Sequence, residues 1–285
     1  MALLSEDEVA RYRREGFFLY KKPVLPRAKL DALRAHLEDK LAAFPADKRP
    51  EVMHEPHFGD TRLFEWLFAP EVLDLVEPIL GPDIGVFASH FFCKPARTGR
   101  RVPWHQDSAL WMGMLEPMEV VAVWVALDAS DLANGCVRVM PGTHLGGTAA
   151  YEPVAREQNV FPAQVAAQAL DESKAVPLEL APNEASLHDS RLIHGSELNT
   201  SGRRRWGYSM WFFSTRSRFL WEKYSSVHQV YLARGVDRAG NRYADPSRPS
   251  PELVKFSERY EDVFRIRVLT SPKVGRNDDQ DKSRR

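Results

Sequence analysis

An imidazole and a carboxylate stand two residues apart in Trp104-His105-Gln106-Asp107, and more histidine lies far downstream in His188-Asp189-Ser190-Arg191-Leu192-Ile193-His194. If the first stretch is a strand, side chains alternate with period two and His105 and Asp107 share a face. A histidine brought in from a distant strand then completes a set of two imidazoles and one carboxylate. With open positions left on the metal, that set is the facial triad used by non-haem Fe(II) sites. The competing reading is a buried histidine satisfied by its aspartate neighbour, because an HxD tripeptide alone arises by chance in many sequences.

A second chemical feature begins nine residues after His194, at Arg203-Arg204-Arg205-Trp206-Gly207-Tyr208-Ser209-Met210-Trp211. Alternation puts Arg205, Gly207, Ser209 and Trp211 on one side of this strand. Trp206, Tyr208, Met210 and Phe212 fall on the other, where their bulk would pack against helices. The first side offers a guanidinium followed by two small residues, which leaves room for a ligand. A buried guanidinium demands an anionic partner, and a small dicarboxylate gripped by two parallel hydrogen bonds would serve. Arg203 and Arg204 read as a surface turn. His54 and His57 sit three residues apart in a proline-rich loop without defined geometry, and read as surface or pocket-lining histidines.

The elements that must position these groups are legible in outline. Ser5 with Glu8 forms a capping-box pattern, which predicts a helix to Glu15, a stop at Gly16 and a strand through Tyr20. Pro26 opens a helix with Leu30, Leu33, Leu37 and Leu41 at helical spacing. Helices are expected over 61–68 and from Pro70 to Leu80, where Gly81-Pro82 ends the second. Strands are expected over Ile84–Lys94, Val102–Asp107, Glu119–Leu127, Cys136–Met140, Ala175–Leu180, Glu184–His188 and Arg205–Phe213. Residues 142–175 make a long connection of the kind used as lids, with a short helix expected over Ala163–Leu170. Helices lead and short strands follow, a pattern for an α+β domain, mainly β, built on a sandwich or barrel.

Composition sets the bounds. The 285 residues carry zero formal net charge, so there is no electrostatic case for nucleic acid or an acidic membrane surface. Two cysteines, Cys93 and Cys136, lack CxxC spacing, which argues against a disulfide framework and for a reducing compartment. The chain turns acidic at Glu6-Asp7-Glu8 before any signal-peptide core forms, and no apolar run is long enough to span a bilayer. The expectation is a soluble cytoplasmic protein that acts on a small molecule and binds neither nucleic acid nor membrane. No phosphate-binding glycine loop follows a strand.

Taken together, the pieces resemble a known family. They are Trp104-His105-Gln106-Asp107, Trp124-Val125-Ala126-Leu127-Asp128, Asn134-Gly135, Pro141-Gly142-Thr143-His144, His194-Gly195-Ser196, Asn199-Thr200 and Arg205. In this order, over about Ser5 to Phe213, they resemble the phytanoyl-CoA hydroxylase (PhyH) family of Fe(II)- and 2-oxoglutarate-dependent dioxygenases. The resemblance implies a double-stranded β-helix, a cupin-like jelly roll buttressed by helices, in one domain over 1–275 with a disordered tail over 276–285. It implies iron ligands at His105, Asp107 and His194. Arg205 would pair with the distal carboxylate of 2-oxoglutarate, Ser196 and Trp124 would help hold that cosubstrate, and Lys94 would approach it. His90, His144 and His188 are not carried over and read as structural.

The implied activity is O2-dependent hydroxylation of a small molecule with release of succinate and CO2. Asp107 separates this from radical halogenases of similar architecture, where Ala or Gly takes the carboxylate position. Trp111 and Met112 follow the HxD and would give the pocket mouth an apolar, adaptable wall, or else belong to the core. Alternatives are desaturation, cyclisation or epimerisation at the same site, a zinc hydrolase on the same three ligands, and a catalytically idle jelly roll that binds a carboxylate or a partner.

Overall fold

The computed structural model describes residues 3–111 and 113–257. The tail expected over 276–285 lies outside them, as does Met112.

Local signals set the N-terminal half. Helix α1 (Glu6–Glu15) starts with the reciprocal box between Ser5 and Glu8 and ends at Gly16, whose φ of 83° suits a residue without Cβ. Strand β1 (Phe17–Tyr20) follows. Helix α2 (Arg27–Ala42) buries Leu30, Leu33 and Leu37, and α3 (Pro70–Leu80) carries Pro70 in the first turn, where no amide donor is needed. The rest is mostly strand: β2 (Ile84–Lys94), β3 (Val102–His105), the single-turn helix α4 (Asp107–Leu110), β4 (Val120–Ala126), β5 (Val137–Val139), β6 (Val176–Leu178), β7 (Ala185–Asp189), β8 (His194–Ser196), β9 (Arg205–Ser214) and β10 (Tyr231–Arg234).

These strands form two antiparallel sheets. The larger runs β1-β7-β4-β9-β2-β10, with Met53–His54 added beside β2; the smaller runs β6-β5-β8-β3. Neither closes into a barrel, and the arrangement is a helix-buttressed jelly roll. Alternation sorts the larger sheet. Val121, Val123 and Val125 of β4, with Trp206, Tyr208, Met210 and Phe212 of β9, join α2 and α3 in the main core. Ala122, Trp124 and Ala126, with Gly207, Ser209 and Trp211, face the other way, towards the smaller sheet. Trp124 lies opposite Ser209 in the register, and Gly207 opposite Ala126.

The structure corrects three expectations. The strand expected over Val102–Asp107 ends at His105, and Asp107 instead opens α4. The helix expected over Ala163–Leu170 is a strand, Ala163–Val165, paired with Tyr151–Pro153 and followed by one 3-10 turn. Ala163 and Val165 are buried while Gln164 is not, a period of two masked by small residues with good helix propensity. His57 is buried, not at the surface or lining the pocket: its Nδ1 lies 2.8 Å from Ser89 Oγ, and burial pushes its pKa down to about 3. His54 is half-buried against His90, with ring centroids 4.1 Å apart.

Candidate metal centre and anion site

His105 ends β3 and His194 opens β8, and the two are register partners across the smaller sheet. Gly195 permits that pairing, since a Cβ there would sit 2.9 Å from the Val102 carbonyl oxygen. Asp107 is brought in by the turn into α4. The Nε2 atoms of His105 and His194 lie 3.3 and 3.6 Å from the same carboxylate oxygen, Asp107 Oδ1. One donor atom from each of the three residues falls within 4.8 Å of the others, and all three side chains are buried.

The opposite ring nitrogens fix the tautomers. His105 Nδ1 is 2.8 Å from the Pro103 carbonyl, and His194 Nδ1 is 2.9 Å from that of Leu192. A carbonyl only accepts, so each Nδ1 carries a hydrogen, and Nε2 is the atom of each ring aimed at the centre that can offer a lone pair to a metal. Burial and the neighbouring His105 push the His194 pKa down to about 3, which keeps it neutral. Burial alone would raise the Asp107 carboxyl, yet its pKa lies well below the usual carboxylate range and it is ionised. Two neutral imidazoles and a carboxylate, with ring orientation set by backbone acceptors, fit a divalent transition metal.

The same cleft, of about 380 Å³ including space continuous with solvent, is lined by both sheets, with Arg205, Trp124 and Ser196 in its wall beside the three donors. Arg205 is 1 % exposed. Among the described residues it has no carboxylate partner, and its Nε lacks a hydrogen bond, as does the Trp124 Nε1. The guanidinium lies 5.4 Å from the Trp124 ring centroid, and burial pushes its pKa down to about 10. A buried cation without a counter-ion is costly, so this end of the cleft fits an anionic group, and the cleft as a whole fits a chelating dicarboxylate.

Gly207 decides where the Trp124 indole lies, because a Cβ there would come within 2.0 Å of the ring. Gly207→Ala is therefore expected to displace the indole. It should destabilise the fold by roughly 1–3 kcal/mol, the usual cost of overpacking, and weaken dicarboxylate binding more than metal binding. Thermal unfolding and paired titrations check this.

Two residues expected at the site are elsewhere. Lys94 does not line the cleft; its ammonium donates to the carbonyls of Ser196 (3.2 Å) and Glu197, tying β2 to β8. Trp111 packs in the core behind the cleft wall, 4.8 Å from Phe87 and 5.5 Å from Trp211 between ring centroids.

Other contributions were not anticipated from sequence. His188 lines the cleft, with Nε2 3.8 Å from Asp107 Oδ2. Its signal was available, since alternation along β7 sends Ala185 and Leu187 to the helix side and His188 to the other. Gln106 had no such signal. Its side-chain amide donates to the carbonyls of Gly147 and Arg191 and accepts from the Ala149 amide, while its own amide donates to the Tyr151 hydroxyl. It thereby locks the long connection onto the residues next to His105. His90 and His144 are held by backbone carbonyls, those of Glu51 and Arg13.

The family model for phytanoyl-CoA dioxygenase (PhyH) matches residues 3–207. The peroxisomal phytanoyl-CoA dioxygenase of Mus musculus is 29 % identical over 278 residues, spanning 95 % of this chain and 78 % of the relative. The solved apo structure of the non-heme monooxygenase ThoJ superposes with a TM-score of 0.72 at 23 % identity, over 93 % of this chain and all of that one. EvdO2 from Micromonospora carbonacea var. aurantiaca, solved with 2-oxoglutarate, gives 0.60 at 22 % identity, over 74 % of this chain and 91 % of that one. The structural likenesses establish the jelly-roll fold. Among the described residues no helix is long and apolar enough to cross a membrane. The family match over most of the chain, together with the His-Asp-His set, carries the identification: this chain belongs to the phytanoyl-CoA dioxygenase family of Fe(II)- and 2-oxoglutarate-dependent oxygenases and is an oxidoreductase.

Proposed function

We propose that this enzyme hydroxylates an unactivated C–H bond of a small molecule, with Fe(II) held by His105, Asp107 and His194 and 2-oxoglutarate held by Arg205, Trp124 and Ser196. One observation carries the reading: a buried His-Asp-His donor set and a buried guanidinium with no counter-ion among the described residues line the same cleft. When bound, iron and 2-oxoglutarate supply the oxidising chemistry, in which O2, the keto acid and an R–H substrate give succinate, CO2 and R–OH. The chain's own residues do the positioning. The two Nε2 lone pairs and Asp107 Oδ1 fix the metal on one side. Arg205 takes the distal carboxylate of the cosubstrate, and the Trp124 and Ser196 side chains flank it. The walls formed by Phe92, Val102, Val137 and Trp211 keep water from the reacting centre.

Desaturation, cyclisation and epimerisation use the same residues and differ only in where the substrate places its radical. A zinc hydrolase would leave Arg205 without a role. One oxygenase domain over 1–275 accommodates these parts, and two free, buried cysteines suit a reducing compartment such as the cytoplasm. The test is a small-molecule screen read as succinate formation. The proposal expects product only with Fe(II), 2-oxoglutarate and O2 all present, and oxygen-independent turnover with zinc would refute it.

A further inference from the structure

The geometry points to Trp211 as the residue that selects which oxygen of Asp107 is offered to the metal. This positioning role rests on the reading of His105, Asp107 and His194 as the iron site. The Trp211 Nε1–H donates to Asp107 Oδ2 at 2.8 Å. The other oxygen, Oδ1, is the one approached by the Nε2 atoms of His105 and His194, at 3.3 and 3.6 Å. His188 faces Oδ2 as well, but at 3.8 Å it is beyond hydrogen-bonding distance. The carboxylate is thus divided: one oxygen is held by the indole, and one is turned to the metal-binding lone pairs.

The chemistry of the indole suits this task. Its N–H is a donor only, with no acceptor lone pair and no titration in the accessible pH range. It can hold a carboxylate oxygen without competing for the metal and without a pH dependence of its own. A histidine, asparagine or glutamine here would bring an acceptor atom that could itself turn to the metal.

The indole is also prevented from swinging away. Trp111 meets it edge-on, with ring planes at 83°, and Trp111 is backed in turn by Phe87 at 65°. The His228 ring packs 4.5 Å from Phe87, so a chain of edge-on and tilted aromatic contacts runs from His228 to Trp211. Trp111 thereby acts on the site from behind its wall. A hydrogen bond to Oδ2 disfavours chelation through both oxygens, so Asp107 would offer a metal Oδ1 alone.

The test uses Trp211→Phe, which keeps an aromatic ring and removes the donor. Loss of a hydrogen-bond partner behind a metal ligand typically costs about 10–100-fold in affinity, and that loss is expected for Fe(II) binding to this variant. The Co(II)-loaded variant should also show visible absorption bands shifted in position and intensity from those of the Co(II)-loaded wild type, because the carboxylate is free to bind through both oxygens. A purely structural tryptophan would lower thermal stability and leave the Co(II) spectrum of the folded fraction unchanged.

A second measurement does not depend on Trp211→Phe folding. In protein labelled with 15N at the indoles, one N–H resonance of the wild type should move upfield in Asp107→Ala, as a hydrogen bond to a carboxylate is lost. Wild-type metal affinity and an unchanged Co(II) spectrum in Trp211→Phe would overturn the positioning role while leaving the iron-site reading intact, as would indole resonances indifferent to Asp107→Ala. Failure of the wild type itself to take up Fe(II) or Co(II) would remove the iron-site reading, and the positioning role with it.

Discussion

Asp107→Ala is expected to lose turnover altogether while remaining folded. The substitution removes the only anionic donor of the centre and leaves two neutral imidazoles to hold a divalent cation. Fe(II) affinity should fall by more than the roughly 10–100-fold that follows loss of an outer hydrogen-bond partner. The fold should change far less. The Trp211 N–H loses its acceptor, which costs about 1–3 kcal/mol for a buried donor, but the carboxylate lies in a cluster of imidazoles and not in the main core. Metal titration and thermal unfolding of the same preparation separate the two effects. Normal turnover in this variant would mean that the donor set is misassigned.

Arg205→Met is expected to leave iron binding intact and to cripple 2-oxoglutarate binding. Truncating one member of a buried, hydrogen-bonded charge pair typically costs roughly 2–5 kcal/mol, or about 30- to 4,000-fold in apparent affinity. The sign of the stability change is diagnostic. In the ligand-free protein Arg205 is a buried cation with no carboxylate partner among the described residues, so an apolar side chain of similar length should not lower the melting temperature. Methionine also preserves the stem that packs near Trp124. An unchanged 2-oxoglutarate requirement would move the clamp away from Arg205. Lys94 would be a poor replacement, because its ammonium is already held by the Ser196 and Glu197 carbonyls.

What could be read from sequence divides along physical lines. The α1 cap was legible because its partners are three residues apart and nothing distant competes with them. The two faces of β9 were legible because a central strand alternates strictly, and the structure sends Trp206, Tyr208, Met210 and Phe212 to the helices as expected. The residues of the candidate metal centre stand out by type and spacing, but strand alternation is not what brings them together. Asp107 joins His105 through a turn into α4, secured by the Ser108 amide donating to the Ser190 carbonyl at 2.9 Å, and not by alternation along one strand. That long-range bond leaves no trace in the local pattern.

The same limit explains the remaining gaps. Gln106 reads as a spacer between two ligands, and only the folded chain shows that it gathers Gly147, Ala149, Tyr151 and Arg191. Trp211 was placed on the correct face, but its hydrogen bond reaches a residue 104 positions away. Lys94, at the end of β2, is drawn to the carbonyls of Ser196 and Glu197. In each case a polar group found its partner across the fold, where burial makes an unmade hydrogen bond costly.

The central claim is that one cleft holds both Fe(II) and 2-oxoglutarate. Its most direct test is an anaerobic titration of the purified protein, first with Fe(II) and then with 2-oxoglutarate, followed by visible absorption. The account predicts a charge-transfer band from the keto acid chelated to iron, saturating at one equivalent per chain and absent in His194→Ala. Iron binding without that band would contradict the shared site, and no iron binding at all would make the cluster around His105 structural.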